Sequence, residues 1–217
     1  MDQERRNSII VIVILMAILG VIAFVVFRTP GDYTYQGPTG EFSFERNKIG
    51  NLEFYSFEIV TIYNDGEDVV KQTLNLRNGP REVEHIPVEG DVKGAILPHR
   101  SSLSEVYLTV DPDSSSKSVI GAIEIGQVIG RSESGILKMY ARGALTRPGN
   151  HTVNGTMPII SCADAADRVG VIYLEEGAKQ GVVVDDNGCV HVRGETPDEV
   201  IASADRVIYV LLGIMEG

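Results

Sequence analysis

The chain has 217 residues and a formal net charge of −11, with 30 acidic against 19 basic side chains. So acidic a chain is poorly suited to neutralising a phosphate backbone or lying on an anionic lipid surface, which excludes nucleic acid as a partner. Its two cysteines, Cys162 and Cys189, are not in Cys-x-x-Cys spacing and have no paired histidines beside them. No metal and no cofactor is therefore expected.

Residues 8–27 run from Ser8 to Phe27 without a charge and are apolar on every helical face. At 1.5 Å per residue such a run spans about 30 Å, the thickness of a bilayer core. It is longer than the apolar region of a signal peptide, and no small-x-small cleavage site follows it. The reading is an uncleaved signal anchor, with the lipid bilayer as partner through residues 8–27. Arg5 and Arg6 before the run, against Arg28 after it, place the N-terminus in the cytosol and the rest outside. Residues 1–28 form this tail and anchor, and residues 29–40, rich in Gly and Pro, read as a stalk. Tyr33 and Tyr35 in the stalk suit a membrane interface or, equally, the surface of the domain.

From Glu41 the signals are those of strands. Phe42 and Phe44 alternate with polar residues. Ile59 to Tyr63 runs into Asn64-Asp65-Gly66, a hairpin turn whose residues tolerate positive φ, and Val69 to Arg77 returns. Ser104 to Val110 is a further strand, ending at the Asp111-Pro112-Asp113-Ser114 turn. Val119, Ile120, Ile123, Val128 and Ile129 have helical spacing between Lys117 and Arg131, weakened by Gly121, Gly126 and Gly130. Leu137 to Ala144 reads as a strand and Thr146 to Pro158 as a polar loop.

The C-terminal block carries the sharpest local signals. Ser161 with Asp164 is a capping pair for a short helix, and Val169 to Leu174 is a buried strand. Gly181 to Asp185 and Cys189 to Arg193 flank Asp186-Asn187-Gly188, a second hairpin. Thr196, Pro197 and Glu199 open a helix as N-cap, N1 and N3. Val200, Ala204, Val207, Ile208, Leu211 and Leu212 form its apolar stripe, Gly213 closes it, and Asp205-Arg206 reads as a solvated pair.

The chemistry-bearing residues are few. Cys162 and Cys189 are expected to form a disulfide if the domain lies in an oxidising compartment, closing a loop for which chain entropy gives roughly 3–4 kcal/mol. The alternative is a membrane-tethered cysteine hydrolase with Cys162 as nucleophile and His191 or His151 as base, although alternation with Val190 and Val192 points His191 to solvent. Asn150-His151-Thr152 and Asn154-Gly155-Thr156 are glycosylation sequons. Asp111, Asp113, Asp164 and Asp167 lack the spacing and glycine of a calcium loop and suit turns and caps. Phosphate-binding glycine loops, Gly-x-Ser-x-Gly elbows and metalloprotease motifs are absent from the sequence.

Pro158-Ile159-Ile160-Ser161-Cys162-Ala163-Asp164-Ala165, Val171-Ile172-Tyr173, Asn187-Gly188-Cys189-Val190, Ala204-Asp205-Arg206-Val207-Ile208-Tyr209 and Gly213-Ile214-Met215 resemble uncharacterised single-pass membrane proteins of archaea. The resemblance covers mainly the last ~60 residues; it implies an archaeal cell envelope setting and supplies no catalytic positions. The fold class expected is α+β: one N-terminal transmembrane helix followed by a β-rich domain with a C-terminal αβ module. Residues 41–217 would form the extracytoplasmic domain, with possible subdivision near 98 or 158. The function expected is a membrane-anchored envelope accessory or assembly protein that presents a binding domain to another envelope protein and performs no catalysis.

Overall fold

The computed structural model describes residues 31–63, 68–100, 104–131, 135–149 and 157–217, together with Met16. Four strands open the fold: β1 (Tyr33–Gly37), β2 (Gly40–Ile49), β3 (Leu52–Tyr63) and β4 (Asp68–Leu76). They pair in chain order as an antiparallel meander. The period-2 pattern explains the buried face. Phe44, Tyr55, Phe57, Leu74 and Leu76 point inward, while Ser43, Glu45 and Glu58 point outward, as alternation along a half-buried strand requires. Tyr33, read above as part of a stalk, instead belongs to β1 and stacks on Phe44, with ring centroids 5.5 Å apart.

A short helix α1 (Pro80–Val83) leads to β5 (Val88–Glu89) and α2 (Val92–Ile96). The second half then alternates strands and helices: β6 (Glu105–Val110), α3 (Val119–Ile129), β7 (Ala141–Leu145), β8 (Val169–Glu176), β9 (Gly181–Val184), β10 (Val190–Gly194) and α4 (Pro197–Leu211). These strands form a six-stranded sheet in the order β5-β9-β10-β8-β6-β7. β10, β8, β6 and β7 run parallel, and β9 is antiparallel to β10. One sheet face is apolar and continuous: Leu108, Ile172, Val190, Val110, Leu174, Val192 and Val182 are all buried there. Such unbroken burial is what a parallel sheet covered by helices demands.

α3 and α4 pack against each other, and a glycine lets them approach. A Cβ at Gly121 would stand 3.0 Å from the Ala204 Cβ and 3.2 Å from Leu174. The glycines that weaken the helical signal of α3 thus include one that the helix pair needs. α4 begins as its sequence dictates: the Thr196 hydroxyl accepts from the Glu199 N–H at 3.3 Å, while the Glu199 carboxylate accepts from the N–H of Glu195 at 2.8 Å rather than from that of Thr196. It ends at Gly213, whose φ of 74° is the left-handed value a C′ glycine provides.

Three expectations are corrected. Among the described residues no helix is long and apolar enough to cross a membrane, so the fold class stands as α+β without the N-terminal transmembrane helix. Residues 8–27, on which that reading fell, lie outside the described residues except for Met16. The separate C-terminal αβ module is corrected too, because β6 lies between β8 and β7. The six-stranded sheet therefore interleaves segments from both sides of residues 98 and 158, and the change of architecture falls between β4 and β5. Finally, Asp205-Arg206 is not a solvated pair. Asp205 is 0% exposed and Arg206 9%, because α4 is covered on nearly every side.

Candidate functional site

The face of the six-stranded sheet turned away from α3 and α4 carries a polar row that its apolar face lacks. Tyr173 and Glu175 on β8 stand in register with His191 and Arg193 on β10. Alternation puts all four on the face opposite Ile172, Leu174, Val190 and Val192. The Tyr173 and His191 rings meet edge to face at 5.8 Å. Arg193 donates from Nε to Glu175 Oε2 at 2.8 Å, and the same oxygen lies 3.4 Å from His191 Nδ1. The apolar residues between them made these strands legible, whereas the polar row emerges only when β8 is laid beside β10.

The cysteine pair closes one end of this row. Cys162, in the 3₁₀ turn Cys162–Asp164, is bonded to Cys189 just before β10, with Cα atoms 5.3 Å apart. The turn forms because Asp164 accepts from the Ser161 N–H at 2.7 Å, the capping expected there. Cys189 is fully buried, and Cys162 is partly exposed. The expected disulfide is therefore present.

His191 does not point freely to solvent, as strand alternation alone suggests. Its side chain is 15% exposed, and Nε2 lies 3.4 Å from the Cys162 sulfur. Asp185 approaches the same nitrogen, with Oδ2 3.5 Å from Nε2. Asp185 is held by its turn: Oδ1 accepts from the N–H groups of Asn187 and Cys189, both at 2.9 Å. Burial opposes ionisation of Asp185, yet those two donors and the imidazole outweigh it and hold the carboxyl below its ordinary range. Burial, then the Glu175 and Asp111 carboxylates, push the Tyr173 phenol upward.

The structure thus brings together Cys162, Cys189 and His191, which the sequence singled out, and adds Asp185, Glu175, Arg193 and Tyr173, which it did not. Asp185, at the end of the segment that leads into the hairpin turn, both holds that turn through Oδ1 and faces His191 through Oδ2. The remaining aspartates behave as turns and caps. Asp111 Oδ1 accepts from the Asp113 N–H at 2.8 Å and holds Arg147 at 3.0 Å. Asn150 and Asn154, the sequon residues, and His151 lie outside the described residues. No family model, curated protein or solved structure matches the chain.

Chemically, the arrangement offers a planar row of alternating charge and an imidazole flanked by two carboxylates. It offers no thiolate while the disulfide stands. A thiol–imidazole–carboxylate relay would exist only in the reduced protein.

Proposed function

We propose that this chain is an accessory or assembly protein of the cell envelope whose domain works outside the cytosol as a binding module, without catalysis. The observation that carries the reading is the partly exposed row Tyr173, Glu175, His191 and Arg193 on the sheet face opposite α3 and α4. A row of partly exposed charges and an aromatic suits a protein partner with complementary charges. The disulfide supports a site outside the cytosol, because such bonds persist where thiol reductants are absent.

Two measurements test this. In intact cells, a membrane-impermeant maleimide should label Cys162 or Cys189 only after reduction. Labelling that needs lysis, with a denaturing control for burial, would move the domain to the cytosol. A photo-crosslinking residue at Tyr173 should then capture an envelope protein, and Arg193→Glu should abolish the adduct. The same adducts from a crosslinker at Ile123, on the exposed side of α3, would remove the sheet face from the proposal.

A second reading has one specific observation behind it. The 3.4 Å approach of His191 Nε2 to the Cys162 sulfur, with Glu175 behind Nδ1, is the order of nucleophile, base and orienting group of a cysteine hydrolase. Reduced protein should then react with an acyl-type thiol probe at Cys162 near neutral pH, and His191→Ala should push that reaction to higher pH. Equal reactivity in the two proteins ends the reading.

A further inference from the structure

We infer that reduction of the Cys162–Cys189 disulfide creates a tetrahedral site for a zinc-type divalent cation, ligated by both sulfurs, His191 Nε2 and Asp185 Oδ2. The inference stands apart from the binding function proposed above and rests on ligand identity and spacing.

One ligand atom from each of Cys162, Asp185, Cys189 and His191 lies within 4.8 Å of every other. A tetrahedral zinc ion with bonds of roughly 2.0–2.3 Å to N, O and S needs ligand atoms about 3.3–3.8 Å apart. Two edges of that tetrahedron are already in place. The Cys162 sulfur is 3.4 Å from His191 Nε2, and Nε2 is 3.5 Å from Asp185 Oδ2. Breaking the sulfur–sulfur bond lets those two atoms separate to non-bonded distance, which opens the remaining edges around a common centre.

The supporting shell is also present. Metal-bound imidazoles commonly turn their second nitrogen to a carboxylate, which sets the tautomer and ring angle. His191 Nδ1 faces Glu175 Oε2 at 3.4 Å, and Arg193 Nε holds that carboxylate at 2.8 Å. Asp185 spends Oδ1 on the turn N–H groups of Asn187 and Cys189, which leaves Oδ2 aimed at the site. The ligands come from a 3₁₀ turn, the β9–β10 turn and β10 itself, so a hairpin held inside the sheet fixes three of the four. The set of two thiolates, one imidazole and one carboxylate suits zinc and excludes the oxygen-only preference of calcium and magnesium.

The chemistry balances as two steps. A small dithiol gives two electrons and two protons to the protein disulfide and leaves as its own disulfide. The two protein thiols then release their protons as the cation binds both thiolates. Metal and disulfide are therefore alternative occupants of one place. A chain that holds zinc should resist oxidation, and a chain that is oxidised should not bind the ion.

Cobalt titration of the purified full chain tests this, before and after treatment with a dithiol that is then removed without air. The reduced chain should bind one Co²⁺, with tetrahedral ligand-field bands and a thiolate-to-cobalt charge-transfer band, and Zn²⁺ should displace it. The oxidised chain should show neither. His191→Ala and Asp185→Asn should each weaken binding at least tenfold, and Glu175→Gln about 10–100-fold. Asp185→Asn keeps the Oδ1 acceptor of the turn, and circular dichroism of the oxidised variants checks that each is folded. Equal binding by oxidised and reduced protein, a cobalt spectrum without the thiolate band, or unchanged affinity in both ligand variants overturns the inference.

Discussion

Asp205 and Glu124 show what burial does to single residues. Asp205 is fully enclosed between α4 and the end of β4, where Oδ2 accepts from both the backbone N–H and the side-chain amide of Asn78, at 2.8 and 2.9 Å. Glu124, on α3, hydrogen-bonds to it and lies 3.9 Å from Arg77. Two carboxyls in one dry place cannot both ionise cheaply. Desolvation raises Glu124 from 4.5 to about 7, against the Asp205 hydrogen bond and the Arg77 charge, and desolvation followed by the Glu124 charge raises Asp205. A carboxyl whose folded pKa lies above its unfolded value binds more protons when folded, so its contribution is whole below the unfolded pKa and is lost as pH climbs to the folded one. Unfolding free energy should therefore fall between pH 4.5 and about 7, by an amount on the order of a few kcal/mol. Glu124→Gln, which is neutral throughout, should flatten that part of the profile in urea titrations. An equally steep fall in the variant would place the responsible groups elsewhere.

At the scale of elements, local grammar and long-range pairing part company. The hairpin β9–β10, the helix α4 with its Thr196 cap and Gly213 terminus, and the strand β6 could be read from a few adjacent residues, because turn and cap chemistry is local. The order of the six-stranded sheet could not. Parallel partners such as Val106 and Gly170 are joined across a crossover, and nothing in either strand names the other. The site divides in the same way: Cys162, Cys189 and His191 were visible by residue type, whereas Glu175 and Asp185 matter only because β8 and β9 flank β10. Tyr33 was lost to the stalk because a Gly- and Pro-rich setting hides a five-residue strand. Two elements carry quantitative expectations. Thr196→Ala removes the acceptor for the Glu199 N–H and should lower the unfolding free energy by about 0.5–2 kcal/mol in denaturant. Reducing the disulfide frees a loop with a sequence separation of 27. Loop-closure entropy then gives a loss of about 3–4 kcal/mol, seen as a lower Tm in metal-free buffer with a dithiol present. An unchanged Tm would mean that the unfolded chain retains structure around the same two residues.

Across the whole described fold from Tyr33 onward, α4 is the element that unites the two sheets. Its Tyr209 ring lies 5.9 Å from Phe44 and 5.8 Å from Phe57 on the meander, and its hydroxyl donates to the Asn78 carbonyl at 2.7 Å. On the other side, Ser203 donates to the Arg193 carbonyl at 2.7 Å at the end of β10, and Ala204 meets Gly121 of α3. Val207, Ile208 and Leu211 add buried apolar surface to the same core. Neither sheet can lose its neighbour without exposing this helix, and exposure of so much apolar area is what makes unfolding cooperative. The consequence can be tested with a substitution confined to the meander. Phe44→Ala removes a fully buried ring that touches Tyr33, Phe57 and Tyr209, at a cost of about 3–5 kcal/mol. If the sheets share one transition, hydrogen exchange at β8 and β10 amides should accelerate by the same free energy that the meander loses, and near- and far-ultraviolet circular dichroism should report one common midpoint. Were the meander to melt first, with β8 and β10 protection unchanged, α4 would have to keep its hold on the six-stranded sheet after releasing Phe44 and Phe57. The coupling through Tyr209 would then be too weak to bind the two sheets into one folding unit.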